Sequence, residues 1–108
     1  MPIHESGDNK LAQLICNIVR RPSMYVGNCE FVEVAGFIEG FASASVRDYE
    51  ELREFNRWLA VRLDFPRNWG WKDGMKEVYP NSEDALRELG FLFQEFKQSK
   101  CANESIQD

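Results

Sequence analysis

The chain has 108 residues, of which 44% are hydrophobic and 13% aromatic, so it can form one domain with its own core and is too apolar for a disordered chain. Thirteen Lys and Arg residues against eighteen Asp and Glu residues leave a formal net charge of −5. This balance argues against nucleic acid as the main ligand, because phosphate binding needs a basic surface, and it suits a basic protein partner.

Cysteine and histidine are too few to build a covalent or metal framework. The chain has Cys16, Cys29 and Cys101, without a C-x-x-C spacing, and a single histidine, His4. Neither a disulfide scaffold nor a zinc site can be built from this set. No segment has the apolar length of a signal peptide or a membrane span. We therefore expect a cytoplasmic protein without metal or cofactor, with Cys16 in the core and Cys29 as the candidate reactive thiol.

Two amphipathic helices are predicted in the first half of the chain. The apolar positions of the first helix are Leu11, Leu14, Ile15 and Ile18. This helical spacing ends where Pro22 removes a backbone donor. The second helix is predicted from about residue 30 to residue 46, again with an apolar period near 3.6. Its two interior glycines, Gly36 and Gly40, each cost about 1 kcal/mol relative to alanine, so we expect them where a neighbouring helix approaches closely.

A third amphipathic helix is predicted after this pair. Asp48 is a suitable N-cap, and Glu51 three residues later makes the start similar to a capping box. The helix ends before Pro66. Its predicted buried positions are Leu52, Phe55, Leu59 and Leu63.

Residues 65–81 have a different composition, with two tryptophans, two glycines and two prolines. They predict a loop that contains a short helical stretch around residues 74–79. A last helix is predicted to start after this loop, with Asn81 or Ser82 as its cap, and to close near Lys100. Its predicted buried positions are Ala85, Leu86, Leu89, Leu92, Phe93 and Phe96.

These elements predict an all-α fold in a single domain over residues 1–108. We expect a bundle of four main helices, with an aromatic loop or a short extra helix between the third and the fourth. Residues 1–7 and 101–108 have little to bury, and we expect them to be flexible.

The most specific string in the chain is R-R-P-S-M-Y-V-G at residues 20–27. The residues that shape this connector are Arg21, Pro22, Met24, Tyr25 and Gly27. The proline breaks the helix, the Met–Tyr pair fills the gap between the first two helices, and the glycine takes a positive φ. The arginine is placed to meet a carboxylate, for which Glu39 is the internal candidate.

The pattern R-P-x-M-Y-x-G within this string resembles the start of the ATP-binding domain of the type II topoisomerase ATPase subunit. The likeness covers only this stretch. That family needs an acidic base and a metal-binding Asn on the next helix, followed by D-x-G-x-G and further glycine-rich loops. Here residues 37–42 read F-I-E-G-F-A, and the Asp-Gly pair at residues 73–74 stands alone. We therefore reject an ATPase.

A longer series of motifs resembles the small helical immunity proteins of bacterial polymorphic and contact-dependent growth inhibition toxin systems. R-P-x-M-Y-x-G is followed by F-I-x-G-F at residues 37–41, F-x-x-W-L at residues 55–59, a tryptophan at position 69 and a final A-L-x-x-L-x-x-L-F helix. The likeness spans most of residues 11–96. It implies a cytoplasmic protein without enzymatic activity that blocks the active site of a cognate toxin, often a basic nuclease.

We expect the partner-binding surface on the acidic third helix and on the aromatic segment after it. The predicted contact residues are Asp48, Glu50, Glu51, Glu54, Asp64, Trp71, Asp73, Glu77 and Tyr79. Glu50 and Glu54 lie one helical turn apart and offer negative charge to a basic partner, although solvated helix faces explain most of the acidic residues equally well. Trp71 or Tyr79 is the expected exposed anchor, and Trp58 and Trp69 are expected to fill the open end of the bundle.

Two other functions remain open at this point. A small ligand-binding or enzymatic domain would use the connector at residues 20–27 and the tryptophan loop at residues 65–81 as a pocket. A structural subunit would oligomerise through an apolar face. We predict no catalytic residue, no metal, no nucleic acid and no membrane partner, and a monomer or weak homo-oligomer.

Overall fold

The structure, a computed structural model, describes residues 10–27 and 30–107, with side chains through Lys100. In this described part the chain forms five α-helices joined by short connections and no strand. They are α1 (Lys10–Arg20), α2 (Phe31–Ala42), α3 (Val46–Leu63), α4 (Trp71–Val78) and α5 (Ser82–Gln107), with a 3₁₀ turn at Pro22–Met24 after α1. The all-α prediction is confirmed. The predictions for residues 1–7, His4 and Cys29 lie outside the described residues.

Helix α1 packs along α5 and against α2, with its four predicted apolar residues buried. The prediction that Cys16 belongs to the core is wrong, because its side chain is exposed. Each residue of an α-helix is rotated by roughly 100° from the one before it, so Cys16 faces away from the core that Ile15 enters.

The junction between α2 and α3 differs from the prediction at both ends. Helix α2 stops at Ala42, and α3 begins at Val46, so the second helix does not reach residue 46 and Asp48 is not the N-cap. Ser45 has the extended backbone of an N-cap, and its hydroxyl accepts a hydrogen bond from the Asp48 backbone N–H at 3.4 Å. Asp48 therefore lies inside the first turn of α3, where the positive end of the helix dipole favours its carboxylate.

The two glycines of α2 do not mark a close helix contact. A Cβ atom built at Gly36 or at Gly40 has no heavy atom within 4 Å, and both residues are exposed. The close approach is elsewhere: a Cβ atom at Gly74 on α4 would fall on the ring of Phe65. Gly74 is thus a position at which the fold needs a glycine.

The core is centred on Phe55 of α3, which is fully buried. Its ring lies 4.9 Å from that of Phe93 and 5.5 Å from that of Phe96, centroid to centroid, and Trp58 stacks on it at 6.1 Å. The contacts of Phe55 with Phe93 and Phe96 join α3 to α5 in the tilted and edge geometries that aromatic rings prefer. The predicted apolar positions of α5 are all buried, and most of those of α3 are, with Leu63 half-buried.

The backbone changes direction at a single residue of the connection between α3 and α4. Asp64 ends α3 in the left-handed conformation, with a φ of 62°. The next residue, Phe65, folds back into the core, and its backbone N–H donates to the carbonyl of Ala60 at 3.0 Å. A short helix was expected around residues 74–79, and α4 occupies residues 71–78.

Two polar residues at the start of α5 cap two different helices. The Asn81 side chain accepts from the backbone N–H of Asp84 at 3.2 Å and caps α5. The Ser82 hydroxyl accepts from the backbone N–H of Phe31 at 3.1 Å and donates to Glu30 at 2.7 Å, so it caps α2. The end of α5 also differs from the prediction: its backbone is helical through Gln107, beyond Lys100.

Candidate functional surfaces

The acidic residues predicted to bind a partner on α3 are mostly engaged within the chain. Glu51 is buried and pairs with Lys97 of α5. Glu54 pairs with Lys100 at 3.0 Å, and Glu50 pairs with Arg53 at 3.4 Å. Asp48 is 4% exposed. Asp48 and Glu51 are therefore buried and not free for a partner, whereas Glu50 and Glu54 stay at the surface beside cationic neighbours, and partner binding by these two stays a prediction.

Among the described residues, three ion pairs join α3 to α5. Besides the Glu51 and Glu54 pairs, Arg62 donates to Glu95 at 2.9 Å. The hydrogen bond and the negative charge of Glu95 raise the pKa of Arg62 above its ordinary value. Helix α3 thus uses its charged side chains to align α5.

Trp71 is not the exposed anchor that the sequence predicted. It is 3% exposed, and its ring packs edge-on against Phe31 and Phe55, each at a centroid distance of 6.1 Å. Its indole N–H donates to Oε2 of Glu39 at 3.2 Å, and Oε1 of the same carboxylate lies 2.9 Å from Lys72 Nζ. Glu39 is therefore the partner of α4, and the expected Arg21–Glu39 pair is wrong.

The other tryptophans differ in exposure. Trp58 is half-buried between Phe55 and Phe96, in agreement with a core role. Trp69 stacks on Phe65 at 6.3 Å and keeps 36% of its surface, so it covers the α3–α4 connection and does not fill a core position. Tyr79 is half-buried against the core.

Three of the predicted contact residues are exposed without an ion pair to any described residue. They are Asp64, Asp73 and Glu77. They lie on the α3–α4 connection and on α4, where Arg67 and Lys76 are also exposed. This part of the surface carries both signs of charge and is not strongly acidic.

The connector after α1 is only partly the plug that the sequence predicted. Tyr25 is half-buried and meets Phe37 edge-on at a centroid distance of 5.6 Å. Met24 is 69% exposed and fills no gap, because the 3₁₀ turn directs it outward. Gly27 does not have a positive φ, so the expected left-handed turn at this glycine is wrong.

One helix face is apolar and uncovered. We call the α2 face the set Val32, Gly36, Phe37, Gly40 and Phe41. All five are exposed, while the opposite side of α2 is buried in the core, and Glu33 is the one charged residue among the exposed positions of this helix. The exposed positions of α3, in contrast, are mainly charged. Because Tyr25 contacts Phe37, the connector borders the α2 face.

A second surface feature is a groove of about 860 Å³ between α1 and α5. Its lining includes Cys16, Val19 and Arg20 of α1 and Gly90 and Phe91 of α5. The connector contributes Pro22, but no residue of the tryptophan loop at residues 65–81 lines the groove. This groove is therefore not the pocket expected from the connector and that loop together.

The described residues contain no group of three or more His, Cys, Asp or Glu side chains that could hold a metal ion. Within the same residues, no helix is both long enough and apolar enough to cross a bilayer. Comparison of the chain with protein-family models, with curated proteins and with solved structures gave no match.

Proposed function

We propose that this chain is a non-catalytic binding protein and that the α2 face is its main protein contact. The observation that carries the proposal is that α2 is apolar around most of its circumference, with Glu33 as its one exposed charged residue, whereas only one side is covered. A helix that is apolar all round belongs in an interior. A contiguous exposed apolar face bordered by polar residues is typical of a protein interaction site.

The composition of the α2 face suits such a contact. Phe37 and Phe41 lie one turn apart and retain 38% and 36% of their surface, and aromatic residues are enriched at the centre of interfaces. Gly36 and Gly40 leave the helix backbone open beside them, so a partner can approach closely. In the absence of a partner these two glycines only cost helix stability.

The partner class follows from the resemblance to immunity proteins. In this proposal the chain is a bundle of four main helices with α4 as the short extra helix, and it acts in the bacterial cytoplasm. It would cover the active site of a toxin delivered by contact-dependent growth inhibition, with a basic nuclease as the favoured target. Asp64, Asp73 and Glu77 remain the candidates for secondary acidic contacts.

The experiment is a growth-protection assay with the toxin domain encoded beside this reading frame. The test variant carries Gly36→Lys and Gly40→Lys. Both positions are open, and lysine is a better helix former than glycine, so the variant should fold at least as stably as the parent. Two charges at the centre of the contact should weaken toxin binding by about 100-fold and abolish protection.

The matched control carries Tyr49→Lys and Val61→Lys on α3, which place the same two charges at exposed apolar positions outside the α2 face. It should protect as well as the parent. Circular dichroism and thermal unfolding establish that each variant is folded. Full protection by the double glycine variant would exclude the α2 face, and failure of the parent chain to bind any toxin domain would exclude the immunity function.

A further inference from the structure

The groove between α1 and α5 has an apolar interior that the fold itself creates. A Cβ atom at Gly90 would lie 3.1 Å from Cγ2 of Val19, so the two helices meet closely at this point and open on a recess beside it. Phe91, the next residue along α5, is 60% exposed and lines the recess. A volume of about 860 Å³ is within the range of small-molecule sites.

The groove is elongated. Along α1 its lining extends from Ala12 to Arg20, eight residues apart, which corresponds to roughly 12 Å of helix. That span suits a medium-length acyl chain. Arg20 is the last residue of α1 and lies at one end of this apolar run.

The cations that line the groove differ in whether they are already neutralised. Lys97 pairs with the buried Glu51, and Arg87 pairs with Asp84 at 2.8 Å. Arg20 has no carboxylate of the described residues within 4 Å. As far as the described residues extend, the groove therefore combines an apolar run with one guanidinium at its end that has no ion-pair partner.

We infer that the α1–α5 groove binds a free medium-chain fatty acid, with the acyl chain on the apolar lining and the carboxylate at Arg20. A guanidinium recognises a carboxylate through paired charge-assisted hydrogen bonds. Glu83 is the one carboxylate among the lining residues, and it opposes an anionic ligand. This site is separate from the α2 face and does not depend on the proposed function.

Cys16 gives a direct reporter of occupancy, because it is exposed and lines the groove. In the full chain with Cys29→Ser and Cys101→Ser, it is the remaining thiol. We would follow its alkylation by N-ethylmaleimide while titrating decanoate, with decylamine and decanol as probes of equal chain length. Decanoate should slow the reaction at saturation, decanol should bind about tenfold more weakly, and decylamine more weakly still.

Two charge variants test the role of Arg20. Arg20→Gln should weaken decanoate binding by about tenfold and leave decanol binding unchanged, while Glu83→Gln should tighten decanoate binding by a few fold. Arg57→Gln, at an exposed position of α3, is the matched control and should have no effect.

Four outcomes would overturn the inference. They are no protection by decanoate, equal protection by decanoate and decylamine, an undiminished affinity in Arg20→Gln, and protection of Cys16 that rises with protein concentration alone. The last result would make the groove an interface between two copies of the chain.

Discussion

Glu39 shows how one side chain determines the environment of another far along the chain. Its carboxylate receives the indole N–H of Trp71 and the ammonium of Lys72, and so attaches α4 to α2. Trp71 can then enter the core because its N–H has a hydrogen-bond acceptor, and buried polar groups require such a partner. Trp69, two residues earlier, donates its indole N–H to none of the described residues and stays at the surface.

The same replacement of glycine by alanine should change the free energy of unfolding in opposite directions at different glycines. Gly36→Ala and Gly40→Ala should each stabilise the chain by about 0.5–1 kcal/mol, because the added methyl group meets nothing and the helix gains propensity. Gly74→Ala should destabilise it by about 1–3 kcal/mol, because its methyl group displaces the Phe65 ring. Urea unfolding of the three single variants measures these differences in the free energy of unfolding. A destabilised Gly36→Ala would contradict the open α2 face.

At the scale of elements, helix α2 depends on a cap that belongs to another helix. Its own N-cap residue, Glu30, makes no side-chain cap, and the hydroxyl of Ser82 accepts from the first helical N–H instead. The two hydrogen-bonded groups are 51 residues apart in the sequence. The start of α5 therefore positions the start of α2.

This arrangement predicts that two adjacent caps stabilise two different helices. Ser82→Ala and Asn81→Ala should each cost about 1 kcal/mol in the free energy of unfolding. Hydrogen exchange separates them: Ser82→Ala should accelerate exchange in the first turn of α2, and Asn81→Ala should do so in the first turn of α5. Faster exchange confined to α5 in both variants would show that Ser82 does not cap α2.

The buried sides of the helices could be predicted from the sequence, but their caps and polar partners could not. Apolar residues at helical spacing identified the core positions of α1 and α5, because burial follows a helix period that the sequence displays directly. Ser45 and Asp48 are both good N-caps by residue type, and only the backbone conformation at Ser45 decides between them. The partners of Glu39 and Glu51 lie on other helices, so no local pattern indicated that Trp71 and Glu51 are engaged.

For the molecule as a whole, the negative charge is distributed unevenly along the chain. All 13 Lys and Arg residues but only 14 of the 18 acidic residues lie in residues 10–100, so this segment has a net charge of −1. The other four units of negative charge are Glu5, Asp8, Glu104 and Asp108. The acidic character that suggested a basic partner therefore belongs mainly to the two ends of the sequence.

If the partner is basic, as the proposed function expects, these ends should steer its approach. Neutralising Glu5, Asp8, Glu104 and Asp108 to their amides should lower the association rate with the toxin domain at low ionic strength and flatten its salt dependence, with little effect on the dissociation rate. The matched control neutralises four acidic residues of α5, Glu83, Asp84, Glu88 and Glu95, which lie outside the proposed contacts, and changes the net charge by the same amount. The control should lower the association rate less, because cations next to those carboxylates already offset their charge as a distant partner experiences it. Stopped-flow rates over a range of salt concentrations compare the two variants, and a larger loss in the control would assign the steering role to the acidic residues of α5.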